Sequence, residues 1–249
     1  MTVNDIFKYL NTLFPTDTAC DFDNVGLLIG DGNTEVTKAL IALDCTDYAV
    51  KTAIENGCQL IITHHPIVFA PLKNILADSI QYNLIKNGLS VISMHTNLDI
   101  AENPGVNTCL CDALGIQNQK TLIASDGYTL RFGTVSPTSA DDFAGLIKSR
   151  LGGMVKYVDG GKEIKTVLVC SGSGGDFIYE AIKGGFDALV TADIKHHHFL
   201  DAKHHGISLF DGGHFNTEDV VIDPVKDLLE KYFEGIEFIT THHSDIKYK

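Results

Sequence analysis

The sequence contains the same strand-helix-strand pattern twice. Apolar runs that begin at Val36 and Ile164 are each followed by an amphipathic helix and a second apolar run. An offset of 128 residues, with no gap, places 53–63 on 181–191, and Ala, Ile, Gly and Thr match at equivalent positions. Both predicted helices end at a glycine, which is common at helix C-termini. We therefore predict a duplicated α/β unit, with a chance likeness between two βαβ units as the alternative.

Continuous apolar strands that alternate with helices are typical of parallel sheets covered on both faces. After its second strand, each copy offers a further helix and a further strand. These are predicted at 81–87 and 89–94 in the first copy, and at 195–205 and 207–210 in the second. The predicted fold class is α/β, built from two similar lobes with mostly parallel sheets.

The ends of the two lobes are predicted from helix signals. A last helix is expected to begin at Asn103-Pro104 in one copy and at Asp223-Pro224 in the other, because a polar residue suits the N-cap and Pro suits the first helical position. We place the first lobe at 1–125 and the second at 126–249. An alternative for the C-terminal segment is that it packs back on the first lobe.

The charge and the cysteine content of the sequence indicate which partners and which cellular compartment to expect. The formal net charge is -13 with no cluster of Lys or Arg, which argues against nucleic acid as a partner because a phosphate-backbone binder needs positive charge. Six scattered cysteines with no CxxC are expected to be buried thiols in a reducing compartment. No apolar run reaches membrane length, so we expect a cytoplasmic protein with no membrane partner.

Imidazole and carboxylate groups follow three of the predicted strands. In open parallel sheets, ligands bind beyond the carboxyl ends of the strands, so side chains from these three segments are expected to converge. The segments are 63–66, 95–99 and 212–218. The candidate metal ligands that they supply are His64, His65, Asp99, His214 and Glu218.

This ligand set favours two divalent ions per chain. Mixed imidazole and carboxylate ligands without thiolate suit Zn, Mn, Fe, Ni or Mg, and five ligands exceed what one tetrahedral structural zinc needs. The spacing of His214 and Glu218 puts both on one face of a helical turn. Either Glu218 or Asp99 is suited to bridge the ions with its two oxygens.

Four further residues are candidates for catalysis. His95 is interpreted as an acid/base group or outer-shell residue, with a sixth metal ligand as the alternative. Asp193, Lys195 and His196 follow the second copy's strand and are candidates for substrate contact or proton transfer, against the alternative of plain surface positions. The remaining histidines are expected to be exposed: His197, His198, His204, His205, His242 and His243.

The ordered motifs resemble those of the GTP cyclohydrolase I type 2 homologue family, also called the NIF-three-like family. They are Asp23-Asn24-x-Gly26-Leu27, Thr63-His64-His65-Pro66, His95-x-x-x-Asp99, Thr191-x-Asp193-x-Lys195 and Gly213-His214-x-x-x-Glu218. The resemblance covers essentially the full length. It implies that the five candidate ligands hold a dinuclear metal site, in a cleft between two intertwined lobes. It also implies a homohexamer, so that the chain is its own partner.

The expected function is metal-dependent hydrolysis of a small molecule. One ion would make a water acidic enough to give hydroxide, and the other would polarise the centre that is attacked. The resemblance implies a nucleotide substrate and hydrolytic opening of the purine ring of GTP. The alternatives are a phosphoester hydrolase and a non-catalytic, metal-binding oligomeric scaffold.

Overall fold

The computed structural model describes residues 1–247, which form two units. Unit 1 consists of Met1–Pro104 and Ile222–Asp245, and unit 2 consists of Gly105–Val221 with 246–247. Within 1–247, no helix combines the length and the apolar character that crossing a membrane requires.

Unit 1 is a five-stranded sheet with helices. Its strands are β1 (Gly26–Ile29), β2 (Lys38–Ala42), β3 (Leu60–Thr63), β4 (Ser90–Ser93) and β11 (Glu237–Thr241). The strand order is β1-β4-β3-β2-β11; β1 pairs antiparallel with β4, and the other neighbours are parallel. Its helices are α1 (Val3–Leu13), α2 (Asp47–Glu55), α3 (Ile80–Lys86), α4 (Thr96–Asp99) and α10 (Ile222–Tyr232).

Unit 2 is a six-stranded sheet with helices. Its strands are β5 (Gln117–Ile123), β6 (Thr129–Thr138), β7 (Lys156–Val158), β8 (Ile164–Val169), β9 (Ala188–Thr191) and β10 (Ser208–Asp211). The strand order is β5-β6-β8-β9-β10-β7, in which β8, β9 and β10 run parallel. Its helices are α5 (Val106–Ala113), α6 (Ala140–Leu151), α7 (Ile178–Gly184), α8 (His196–His204) and α9 (His214–Glu218).

The predicted duplicated α/β fold is confirmed. The run β2-α2-β3-α3-β4 in unit 1 has the same succession of parallel strands and helices as β8-α7-β9-α8-β10 in unit 2. All residues of β3 and β9 are buried, which explains why both strands read as continuous apolar runs. Gly185 ends α7 with φ of 69°, in the left-handed conformation expected after a helix.

The predicted starts of two helices are wrong. Helix α5 begins at Val106 with Gly105 as its extended N-cap, so Pro104 lies before the helix. Helix α10 begins at Ile222, directly after a 3₁₀ turn at Asp219–Val221, so that Asp223-Pro224 lies inside the first helical turn. Proline is tolerated there because the first N–H groups of a helix have no partner within it.

The division into units differs from the lobes predicted at 1–125 and 126–249. Helix α5 belongs to unit 2 because Leu110 packs in the same core cluster as Ile164 and Val167. Strand β5 also belongs there, because it pairs with β6. The C-terminal α10 and β11 lie in unit 1, where β11 pairs parallel with β2.

Candidate metal-binding site

Three histidines come together in unit 1, beyond the carboxyl ends of β3 and β4. His64 and His65 follow β3 directly, and His95 lies two residues after β4. One ring nitrogen from each of the three lies within 4.8 Å of the others. We call these residues the histidine cluster. Asp99, the last residue of α4, places Oδ1 3.5 Å from Nε2 of His64.

Every imidazole of the histidine cluster engages its Nδ1 atom with an oxygen. When Nδ1 carries the proton and donates it, Nε2 keeps the lone pair that a metal ion requires. The Nδ1 to oxygen distances are 2.9 Å from His64 to the carbonyl of Met94, 2.7 Å from His65 to Asp44 Oδ1 and 2.9 Å from His95 to Asp23 Oδ1.

Asp23 is a fixed carboxylate behind His95. Its side chain is fully buried, and besides His95 it accepts hydrogen bonds from the backbone N–H of Thr96 at 3.0 Å and the Thr96 hydroxyl at 2.6 Å. Burial alone would raise the pKa of Asp23, but the hydrogen bonds from His95 and Thr96 outweigh it and hold the pKa well below its ordinary value. The group is therefore an anion that orients the His95 ring.

Unit 2 brings His214 and Glu218 together on α9, beyond the end of β10. Their spacing of one helical turn puts His214 Nε2 3.1 Å from Glu218 Oε2. Glu218 is buried, whereas His214 is partly exposed. Nδ1 of His214 lies 2.7 Å from Oδ2 of Asp193, which follows β9 and has φ of 51°. His214 is thus oriented by a carboxylate in the same way as His65 and His95.

The backbone at Gly172 passes directly beside Glu218. Gly172 follows β8, has φ of 58°, and donates its N–H to the Thr217 hydroxyl at 3.0 Å. A β-carbon at this position would collide with Oε1 of Glu218 and would lie 3.3 Å from Nε2 of His214. Only glycine leaves room for the carboxylate in its observed position.

Lys195 is the N-cap residue of α8, and His196 is its first residue. The Lys195 ammonium faces Asp176, with Nζ 3.8 Å from Oδ1, and is largely exposed. His196 is exposed and lies outside the candidate metal groups found among 1–247. Of the four predicted catalytic residues, His95 lies in the histidine cluster and Asp193 contacts His214.

The prediction that His198 is exposed is wrong. His198 is 1% exposed because it lies on the face of α8 that also buries Ala202, one helical turn later. Burial, the largest influence, lowers the pKa of His198, and Nε2 lies 3.0 Å from Asp176 Oδ1. His197, His204, His205 and His242 are exposed, and His243 is partly exposed and stacks on Tyr48.

Sequence reasoning gave no role to Asp44 or Asp23, which orient candidate ligands or their neighbour His95, and did not single out Gly172. Asp44 immediately follows the apolar run of β2, so the strand-end rule that found His64 could have found it. The signal for Gly172 was a glycine-rich stretch, Ser171-Gly172-Ser173-Gly174-Gly175, after β8. Asp23 was part of a recognised motif but had no assigned role.

The donor atoms present fit divalent metal ions. Imidazole nitrogens and carboxylate oxygens are borderline and hard donors, which Zn, Mn, Fe, Ni and Mg accept in different proportions. Burial raises the pKa of Cys45 and Cys111 to about 12, which disfavours the thiolate that a metal ion would need. The chain therefore carries His, Asp and Glu groups suited to metal binding.

Comparisons with known proteins find similarity over nearly the whole length of this chain. A family model described as Duf34/NIF3 (NGG1p interacting factor 3) matches residues 1–246. A Clostridium perfringens protein named GTP cyclohydrolase 1 type 2 homolog is 34% identical, over 97% of this chain and 96% of that protein. A solved Staphylococcus aureus hypothetical protein has a TM-score of 0.92 and 32% identity, covering 100% of this chain and 99% of that one. Reduced HcgD from Methanocaldococcus jannaschii has a TM-score of 0.83 and 28% identity, covering 96% and 97%.

Proposed function

Because the chain belongs to the Duf34/NIF3 family, we propose that it is a hydrolase that uses two divalent metal ions per chain. The proposed ligands are His64, His65, Asp99, His214 and Glu218. Bound ions would supply Lewis acidity, which makes a water more acidic and polarises the centre that it attacks. The ions could be Zn, Mn, Fe, Ni or Mg, since mixed nitrogen and oxygen donors accept all of them.

The shared orientation of the imidazoles is the observation that carries this proposal. His64, His65, His95 and His214 each engage Nδ1 with a backbone or carboxylate oxygen. Metal-ligating imidazoles usually engage their other ring nitrogen with a carboxylate or a backbone carbonyl in this way. One such pair has ordinary structural explanations, but four at strand ends support a metal-binding role.

The other proposed roles follow from position. His95, oriented by the anionic Asp23, is placed to accept or donate a proton beside the ligands, and a sixth ligand is the alternative. Asp193 orients His214. Lys195 and His196 are proposed to contact the substrate from the start of α8, where the exposed ammonium suits an anionic group.

A nucleotide is the proposed substrate, with hydrolytic opening of the purine ring as the reaction. Support comes from relatives named GTP cyclohydrolase 1 type 2 homolog. A chain of net charge -13 can receive an anionic nucleotide through its bound cations, whose local charge outweighs the net charge.

Metal content and turnover test the proposal together. We expect elemental analysis to find close to two ions per chain and to find fewer after His64→Ala or Asp99→Ala. Glu218→Gln should abolish turnover of GTP while the fold survives, and Glu55→Gln, at an exposed helix position, should change nothing. Fully metal-loaded protein that is inert towards GTP, other nucleotides and phosphoesters would reject the hydrolase and favour the scaffold. Unchanged metal content in both variants would discard the ligand set.

We also propose that the chain assembles into a cytoplasmic homohexamer, as the family resemblance implies. Light scattering should then give six times the chain mass of 27.1 kDa. A monomer at micromolar concentration would contradict this assembly.

A further inference from the structure

Two exposed phenylalanines lie beside the histidine cluster in unit 1. Phe22 is 66% exposed and Phe69 is 51% exposed. Their ring centroids are 6.3 Å apart with the planes tilted by 50°. The Phe69 ring is also 6.3 Å from the His95 ring, at an interplanar angle of 81°. Single exposed apolar side chains are ordinary, but an exposed aromatic pair against a polar candidate site needs an explanation.

The residue before or after each ring in the chain takes part in a hydrogen bond. Asp23, next to Phe22, accepts hydrogen bonds from His95 and Thr96. The carbonyl of Val68, next to Phe69, accepts a hydrogen bond from the Asn24 side-chain amide. Each ring is therefore exposed next to a hydrogen-bonded residue, and the neighbour of Phe22, Asp23, is also the residue that orients His95.

We propose that Phe22 and Phe69 form a stacking platform for the planar heteroaromatic ring of the substrate. This inference rests on the proposed nucleotide substrate and assigns the contact that recognises the base. Aromatic rings prefer offset or tilted partners with centroids 4.5–7 Å apart, and the tilted pair leaves open ring surface for such a partner. Stacking tolerates any base, because every base has a π-face.

The position of the platform suits the proposed reaction. A base seated on Phe69 lies beside His95, since the two rings are already neighbours. The platform would thus hold the ring that is to be hydrolysed at the edge of the histidine cluster. Apolar ring faces add affinity without requiring a net positive charge, which this chain of net charge -13 does not have.

The test separates the base from the phosphate. Calorimetry on the metal-loaded protein compares guanosine 5′-monophosphate with ribose 5-phosphate, which lacks the base. Phe69→Leu and Phe22→Leu should each weaken binding of the nucleotide about tenfold, on the scale of one lost stacking contact, and should leave ribose 5-phosphate unchanged. Phe69→Tyr keeps the ring and should keep wild-type affinity. Leu76→Ala, at an exposed position after Phe69 in the connection between β3 and α3, is the matched control and should have no effect.

Several results would overturn the platform. They are undetectable nucleotide binding by the wild type, equal wild-type affinity for the two probes, or equal nucleotide affinity in Phe69→Leu and the wild type. A Phe→Leu variant with a changed oligomeric mass but unchanged nucleotide affinity would assign Phe22 and Phe69 to an interface between copies of the chain. Base-dependent binding in a protein that hydrolyses nothing would keep the platform and reject the hydrolase. The opposite outcome is also distinguishable: the protein hydrolyses a phosphoester, neither Phe variant changes that hydrolysis, and binding does not depend on the base. That result would keep the hydrolase and reject the platform.

Discussion

Replacing Gly172 by alanine should damage the metal site through Glu218. The change adds one methyl group in contact with a candidate ligand. The β-carbon would occupy the place of Glu218 Oε1, so the carboxylate must turn away or the backbone after β8 must shift. A turn of the carboxylate would move Glu218 Oε2 away from Nε2 of His214, which now lies 3.1 Å from it.

The change has two effects, one on the stability of the fold and one on metal affinity. An alanine with φ of 58° is strained by about 1–2 kcal/mol. For a chain of this length that strain lowers the melting temperature by roughly 2–4 °C per kcal/mol. Displacement of Glu218 acts on metal affinity instead, and we expect a loss of about 10–100-fold, as for other changes behind metal ligands.

Gly185→Ala is the matched control. Gly185 has φ of 69°, and a β-carbon there meets no atom within 4 Å among the residues described. Both variants should lose the stability that left-handed strain costs, measured by calorimetry on the apoproteins, and Gly172→Ala should lose more because its β-carbon also displaces Glu218 or the backbone. Only Gly172→Ala should release metal at a lower concentration of a competing chelator. Equal chelator curves for the two variants would refute the role assigned to Gly172.

Three further predictions follow from the structure. Asp44→Asn and Asp193→Asn should each weaken metal binding about 10–100-fold in chelator competition, because they orient imidazoles; unchanged curves would contradict this. The lowered pKa of Asp23 in the folded state means that its ionised form stabilises the fold above the unfolded pKa of about 4 and that this contribution is lost as the pH falls further. The gap in melting temperature between apo wild type and Asp23→Asn should therefore shrink from pH 7 to pH 3, and a constant gap would exclude this linkage. Burial and the raised pKa of Cys45 and Cys111 should prevent alkylation by iodoacetamide at pH 7.5 until the protein is unfolded, as mass spectrometry of native and denatured samples would show.

The parallel strands could be predicted because burial on both faces makes them continuously apolar. Strand β3 and its counterpart β9 are examples. The antiparallel strand β5 could not, since most of its residues are exposed and the segment Gln117–Ile123 is mainly polar. Its place in unit 2 depends on pairing with β6, a contact that local sequence does not reveal.

The candidate ligands were accessible from sequence because they follow strand ends. The residues that orient them were harder to predict from sequence. Asp44 contacts His65 because β2 and β3 are neighbours in the sheet, and the order of strands in a sheet is a tertiary property. His198 shows a similar limit. It is one of three consecutive histidines, and only the packing of α8 decides which of them faces the core.

The pairing of β11 with β2 has a consequence for the order of folding. Unit 2 is nearly continuous in the chain, whereas the sheet of unit 1 receives its last strand from 237–241. During synthesis, one edge of β2 has no partner strand until β11 emerges, which happens only after more than a hundred residues of unit 2 have been made. An open, apolar edge invites pairing with other chains. Truncation before β11 should therefore lead to aggregation of nascent protein.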